Sequence, residues 1–317
     1  MTSQASARRA VTDARMDRYR AAETRLWQAY GLVPEERSGA VGRSGATIRV
    51  QEVGAGAAIL FVHGTGGAGA YFAPLLAALP GYRHLVIDRP GWVTSDPIDF
   101  CADEYATIAS ETIRAVLDEA GIDRVHLVGA SIGDLWVLRF AQSDPSRVGR
   151  VVLLGGGPIS PEILVPPFIR LLRSPLGRVI VRLPERPGMF RKQLAGMGHA
   201  ASIAAGRIPD TFIAWHGALT RDTDWARNER AMVRCIVDRR GFVDGLVPAA
   251  AELAGLRVPV LMVLGSADPV GDPEIWERFV AGLDQGELEH IPDGGHLVWY
   301  DDPRAVGARV ARFLRGV

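Results

Sequence analysis

With 317 residues, 48% of them hydrophobic and 23% charged, the chain can bury a large core and is too apolar for wholesale disorder. Its 36 basic and 36 acidic side chains cancel, so net charge gives no reason to expect nucleic acid or an anionic membrane as a partner. Two cysteines, Cys101 and Cys235, are too few for a disulfide scaffold or a structural zinc site, and the fold must rest on its apolar core.

The first twenty residues, MTSQASARRAVTDARMDRYR, lack the apolar centre of a secretory signal, and no stretch approaches a membrane span, so a cytoplasmic protein is expected. Residues 1–15 read as a loose polar tail. From Met16 to Tyr30 the spacing of Tyr19, Ala22, Leu26 and Tyr30 predicts a helix docked by one apolar stripe, which Gly31 and Pro34 end. Residues 1–40 are therefore expected to form a tail and a docking helix.

An alternation of strands and helices follows. Thr47–Val53 alternates like a half-buried strand, whereas Ala57–Val62 is a short apolar run suited to a buried one. A helix is predicted over 70–79, a strand over 84–87, a helix over 104–119, a strand over 125–128, a helix over 132–143 and a strand over 151–154. This pitch implies parallel strands joined by right-handed crossovers. The rhythm breaks at Gly155-Gly156-Gly157-Pro158 and resumes only at Val258–Leu264, with a helix over 274–283, a strand over 287–291 and a last helix over 303–314. The fold expected is α/β, a mostly parallel central sheet flanked by helices. Residues 41–157 and 257–317 would form this core, and 158–256 a helical cap inserted after the strand that follows the 132–143 helix. Helical patches are expected there over 168–172, 190–203 and 224–237.

The chemistry gathers at the strand ends. Gly129-Ala130-Ser131-Ile132-Gly133 lies between a strand and a helix, the setting of a nucleophile elbow. A serine on so tight a turn is held in strained backbone geometry, and glycines two positions away on either side remove the Cβ atoms that would clash. A neutral hydroxyl is a weak nucleophile and needs a base and a group to orient that base. Both appear downstream: Asp268 after the 258–264 strand, and His296 after the 287–291 strand. Asp272 and Asp293 are weaker candidates for the acid, Asp272 because it starts a helix and Asp293 because it is so near His296 in sequence. His63-Gly64-Thr65-Gly66-Gly67 closes the 57–62 strand, and its glycines let the backbone approach a substrate carbonyl. His63 is expected to be structural. Asp134 reads as a first-turn carboxylate facing away from Ser131, since a negative charge facing the serine would oppose an oxyanion. The spacing of His199 and His216 does not suit a metal, and no nucleotide-binding glycine motif follows a strand, so neither metal nor cofactor is expected.

With HGTGG at 63–67, DRPG at 88–91, GASIG at 129–133, GSADP at 265–269 and DGGH at 293–296, the chain resembles the α/β-hydrolases that carry a helical cap. These include esterases, lipases and carbon–carbon-bond hydrolases. The resemblance covers residues 47–317. It implies a Ser131–His296–Asp268 triad, with an oxyanion held by the N–H groups of Thr65 and Ile132. The expected activity is hydrolysis of a small or medium apolar ester through an acyl-enzyme. The same triad admits carbon–carbon-bond hydrolysis, lactone hydrolysis or cyclisation, for which Arg170, Arg173, Arg178, Arg182 and Arg186 would bind a carboxylate. A ligand-binding relative that turns nothing over is the reading from another class. An insertion leaving that sheet edge should lie over Ser131 as a lid. Phe168, Met189, Phe190, Met197, Phe212 and Trp215 are its apolar candidates, with Phe212 and Trp215 placed innermost. The partner expected is thus a small apolar molecule, and nothing in the sequence speaks to oligomeric state.

Overall fold

Eight described strands form one sheet in the order β1-β2-β4-β3-β5-β6-β7-β8. They are β1 (Glu35–Ala40), β2 (Thr47–Val53), β3 (Ala57–Val62), β4 (Tyr82–Ile87), β5 (Val125–Ala130), β6 (Val148–Leu154), β7 (Val260–Gly265) and β8 (Gly286–Ile291). β3 to β8 run parallel, whereas β2 pairs antiparallel with both β1 and β4. The computed structural model describes residues 2–40, 45–181, 187–248 and 250–316.

The central strands are apolar almost without alternation because both faces of the sheet are covered. Leu60, Val62, Leu127, Val151, Leu153, Val260 and Met262 face one core, with the helices Tyr105–Glu119, Ile132–Ser143 and Pro273–Ala281. Ile59, Phe61, Val128, Val152, Leu154, Leu261 and Val263 face the other, with the helices Ala73–Ala77 and Pro303–Arg315. The helix expected over 70–79 is shorter, a 3-10 turn Gly69–Phe72 leading into Ala73–Ala77.

Two expectations for the N-terminus need correction. The helix runs from Thr2 to Ala29, leaving no loose tail over the described residues from Thr2 on. The polar stretch up to Arg15 is rich in alanine and arginine, both strong helix formers, so the backbone there is helical despite its polar sequence. Residues 35–40 are also more than a connection, for they add β1 to the sheet edge. Glu35-Glu36-Arg37-Ser38-Gly39-Ala40 has no apolar alternation to announce a strand, and its pairing comes from the backbone. The docking face does form: Tyr19, Ala22 and Leu26 are buried and Tyr30 is half-buried.

Between β6 and β7 the described residues leave the sheet. They form the helices Pro167–Arg173, Gly177–Ile180, Pro187–Leu194, Ala200–Ala204, Asp210–Asp222, Trp225–Ile236 and Ala250–Ala254. The helical patches expected over 168–172 and 224–237 are present, whereas the one over 190–203 is broken by a wide turn at Ala195–His199. Asp210–Asp222 was not anticipated.

Candidate active site

Ser131 stands between β5 and the helix Ile132–Ser143 at φ 54° and ψ −120°, a conformation costly for any residue with a Cβ. The flanking glycines are required by space. A Cβ at Gly133 would stand 2.1 Å from Val62 O, and one at Gly129 would stand 2.7 Å from Asp134 N. The strain is held by hydrogen bonds, Ser131 N–H to Leu154 O at 3.1 Å and Asp134 N–H to Ser131 O at 2.9 Å.

Asp268 and His296 leave the ends of β7 and β8 and meet, with His296 Nδ1 2.9 Å from Asp268 Oδ2 and both side chains buried. Asp268 also accepts from Gly156 N–H at 3.2 Å and Val270 N–H at 2.9 Å. Burial opposes its ionisation, but the His296 charge and these bonds outweigh burial and hold the carboxyl below its usual range. Burial likewise opposes protonation of His296, and the Asp268 carboxylate wins, raising the imidazole above its ordinary value. The rival acids sit elsewhere: Asp272 precedes the helix Pro273–Ala281, and the exposed Asp293 donates its N–H to Ser266 Oγ.

The loop 154–157 touches both halves of the arrangement. Leu154 O takes the Ser131 N–H, and a Cβ at Gly155 would lie 3.2 Å from His296 Nδ1. A Cβ at Gly157 would lie 2.2 Å from Ser131 O. Asp134 is under the same loop. Its side chain is fully buried, with Oδ1 accepting from Leu154 N–H at 3.3 Å and Oδ2 left without a hydrogen-bond partner. Burial, opposed by the Leu154 bond and reinforced by the Asp268 charge, drives its carboxyl well above the usual range and favours the neutral acid. Asp134 does stand in the first turn of the helix Ile132–Ser143, as expected, but burial outweighs any help from the helix dipole.

The HGTGG loop packs against the elbow, since a Cβ at Gly64 would stand 2.9 Å from both Ser131 Cβ and Ala130 O. His63 is buried, with Nε2 accepting from Arg89 N–H at 3.0 Å and Nδ1 2.9 Å from Gly64 O. Burial, aided by the Arg89 charge, pushes its pKa down and keeps it neutral. Its contacts are those of a brace. Arg89 donates to Gly64 O at 3.1 Å and meets Glu229 of the helix Trp225–Ile236 at 3.5 Å. Burial raises the Glu229 carboxyl above its usual range, and the Arg89 charge with hydrogen bonds from Thr65 and Gly66 offsets this only in part. Neither Thr65 N–H nor Ile132 N–H is spent on a backbone acceptor among the described residues.

Of the side chains expected to form a lid, Phe168 and Met189 are exposed. Phe212 stacks on Tyr300 at 4.0 Å and on Trp215 at 5.8 Å, inside the second core. His216 and Trp225 instead approach Gly66, whose imagined Cβ lies 3.9 Å and 3.8 Å from them. Arg170 and Arg173 spend Nε on Val165 O and Val237 O, and Arg178 stands near Arg230. Arg182 and Arg186 lie outside the described residues. No group of three metal-ligating side chains occurs among the described residues, nor a helix long and apolar enough to cross a membrane.

Comparison with known proteins agrees with this architecture. Residues 59–309 match the alpha/beta hydrolase family. A 2-hydroxy-6-oxononadienedioate/2-hydroxy-6-oxononatrienedioate hydrolase of Paraburkholderia phymatum is 38% identical over 85% of this chain and 92% of its own. A 2-hydroxy-6-oxo-6-phenylhexa-2,4-dienoate hydrolase of Burkholderia cepacia is 33% identical over 86% of this chain and 93% of its own. The solved hydrolase of that latter name from Rhodococcus sp. strain RHA1 superposes with a TM-score of 0.73 at 19% identity, covering 90% of this chain and 99% of that one. The chain belongs to the alpha/beta hydrolase family and is a hydrolase.

Proposed function

We propose that the protein hydrolyses a carbon–carbon bond in a small conjugated 2-hydroxy-6-oxo acid, with Ser131 as nucleophile, His296 as base and Asp268 orienting it. The buried His296–Asp268 pair, at the sheet edge that carries the strained Ser131 turn, is the observation that supports this machinery. The bond type is supported by the relatives, which shift the balance away from the ester expected from the motifs alone. His296 takes the Ser131 proton as Oγ adds to the ketone carbonyl, and the N–H groups of Thr65 and Ile132 hold the alkoxide. Collapse breaks the carbon–carbon bond. For this the 2-hydroxy dienoate first ketonises, its enol proton moving to the carbon beside the 6-oxo group, so that the electron pair leaves on that fragment as a dienolate, which His296 reprotonates. Water then divides between the products, its hydroxyl going to the acyl fragment and its proton to His296. The inserted residues 158–256 serve as the cap over this site, and the core domain is extended to include β1.

The test is a substrate panel. A 2-hydroxy-6-oxo-6-phenyl dienoate, followed by loss of its conjugated chromophore, should exceed nitrophenyl esters in kcat/KM by more than about tenfold, or 1.4 kcal/mol of transition-state binding. Ser131→Ala should abolish both activities. A preference for the esters would overturn the bond assignment, and turnover surviving in Ser131→Ala would overturn the triad.

A further inference from the structure

His296 is held from a second side, by the inserted segment. The turn Ala195–His199 bends through Gly198 at φ 90°, and a Cβ there would meet Ala267 O at 2.2 Å and Gly295 Cα at 2.8 Å. Only glycine fits so close to the two loops that carry Asp268 and His296. Met197 O accepts the N–H of His296 at 2.9 Å, and His199 Nε2 accepts the N–H of Leu297 at 3.0 Å. A ring nitrogen that accepts carries no proton, so His199 is protonated on Nδ1, which donates to Asp301 Oδ1 at 2.9 Å. Asp301 Oδ2 takes the N–H of Gly295 at 2.8 Å, and Ser202 Oγ donates to Oδ1. Three consecutive amides, at 295, 296 and 297, are thus fixed by one buried cluster with His199 and Ser202 fully enclosed.

We propose that His199 and Asp301 are positioning residues that couple seating of the inserted segment to alignment of the base. This rests on His296 being the base, as proposed above. Asp268 orients the His296 ring, whereas His199 and Met197 fix the backbone from which that ring projects. Two of the three anchors come from the inserted segment. Lifting that segment away from the sheet breaks both and frees the His296 loop, so the site is competent only when closed.

Two variants and one covalent probe test this. His199→Leu removes the acceptor for Leu297 N–H. Asp301→Asn keeps volume but presents an amide donor to His199 Nδ1, which moves the ring proton to Nε2 and sets two donors face to face at Leu297. Each should lower kcat and the rate of Ser131 phosphonylation by a fluorophosphonate by the same factor, about tenfold or more, with KM little changed. His199→Gln, whose Oε1 can take the Leu297 N–H, should recover most of that loss. Wild-type phosphonylation in Asp301→Asn, or a His199→Gln as impaired as His199→Leu, would overturn the coupling. If the unaltered protein is not labelled on Ser131, the triad itself fails and this inference falls with it. If Ser131 is labelled and Ser131→Ala is dead while both positioning variants behave as wild type, only the coupling fails.

Discussion

His296 is subject to two opposing effects, and in its proposed role as base their balance would set the pH at which the site works. Burial favours the neutral ring, Asp268 favours the charged one, and Asp268 prevails. A base must be neutral to accept a proton, so kcat/KM should fall as pH drops through a midpoint above the ordinary histidine value of about 6.5. Asp268→Asn removes the effect that raises the ring. In that variant the midpoint should move down, and kcat should fall on the order of 10³–10⁴-fold because the amide favours the wrong tautomer. A pH–rate profile of the two proteins decides it, and an unmoved midpoint would remove Asp268 from the role. These residues were legible in the sequence because each is announced locally, by a turn at the end of a buried strand. Asp134 was not, since its burial depends on the loop 154–157 folding back over the elbow. His199 was not legible either, because its partner Asp301 lies 102 residues away.

At the level of single elements, the helix Asp210–Asp222 shows what periodicity offered and what it withheld. Phe212, Trp215 and Leu219 recur at helical spacing and are all buried, so the helix itself had a signal. What they would pack against had none. Phe212 and Trp215 face Phe190, Tyr300 and the second core, although the sequence suggested a substrate-facing role. Phe212→Ala should therefore cost about 3–5 kcal/mol of stability while leaving the ratio of rates on two substrates unchanged. Trp225→Ala, beside Gly66 of the 63–67 loop, should shift that ratio with a smaller loss of stability. Urea unfolding and competition between two substrates separate the two outcomes. A changed substrate ratio in Phe212→Ala would place that ring at the substrate after all. β1 is the contrasting case, a strand of polar and small residues that no pattern could have announced.

Across the whole molecule, the N-terminal helix lies outside the residues 59–309 that match the family, yet it joins the sheet to the insertion. Arg18 pairs with the buried Asp222 at 2.8 Å, and Arg15 donates to Arg221 O at 2.8 Å, both at the end of the helix Asp210–Asp222. On the sheet side, Arg49 of β2 is buried and gathers Glu23 at 2.7 Å, Glu36 at 2.7 Å and Asp88 at 2.9 Å. Tyr19 donates to Glu23 at 2.8 Å. One guanidinium thus ties the N-terminal helix, the edge strand β1 and the DRPG turn together. Placing three carboxylates around one buried site is tolerable only while the cation is present, because a buried charge left without its partner keeps its full desolvation cost. Arg49→Met should destabilise by about 3–5 kcal/mol, and more than Glu23→Gln, which leaves the cation two carboxylates. The loss should appear first as detachment of the helix. Limited proteolysis should cut between residues 13 and 29 in Arg49→Met under conditions that leave the unaltered protein whole. Removing Glu23 together with Arg49 should recover part of the loss, since one unpaired carboxylate leaves with the cation. If Arg49→Met unfolds at the same urea concentration as the unaltered protein, the cluster does not hold the helix to the sheet. The apolar face of Tyr19, Leu26 and Trp27 would then be sufficient by itself.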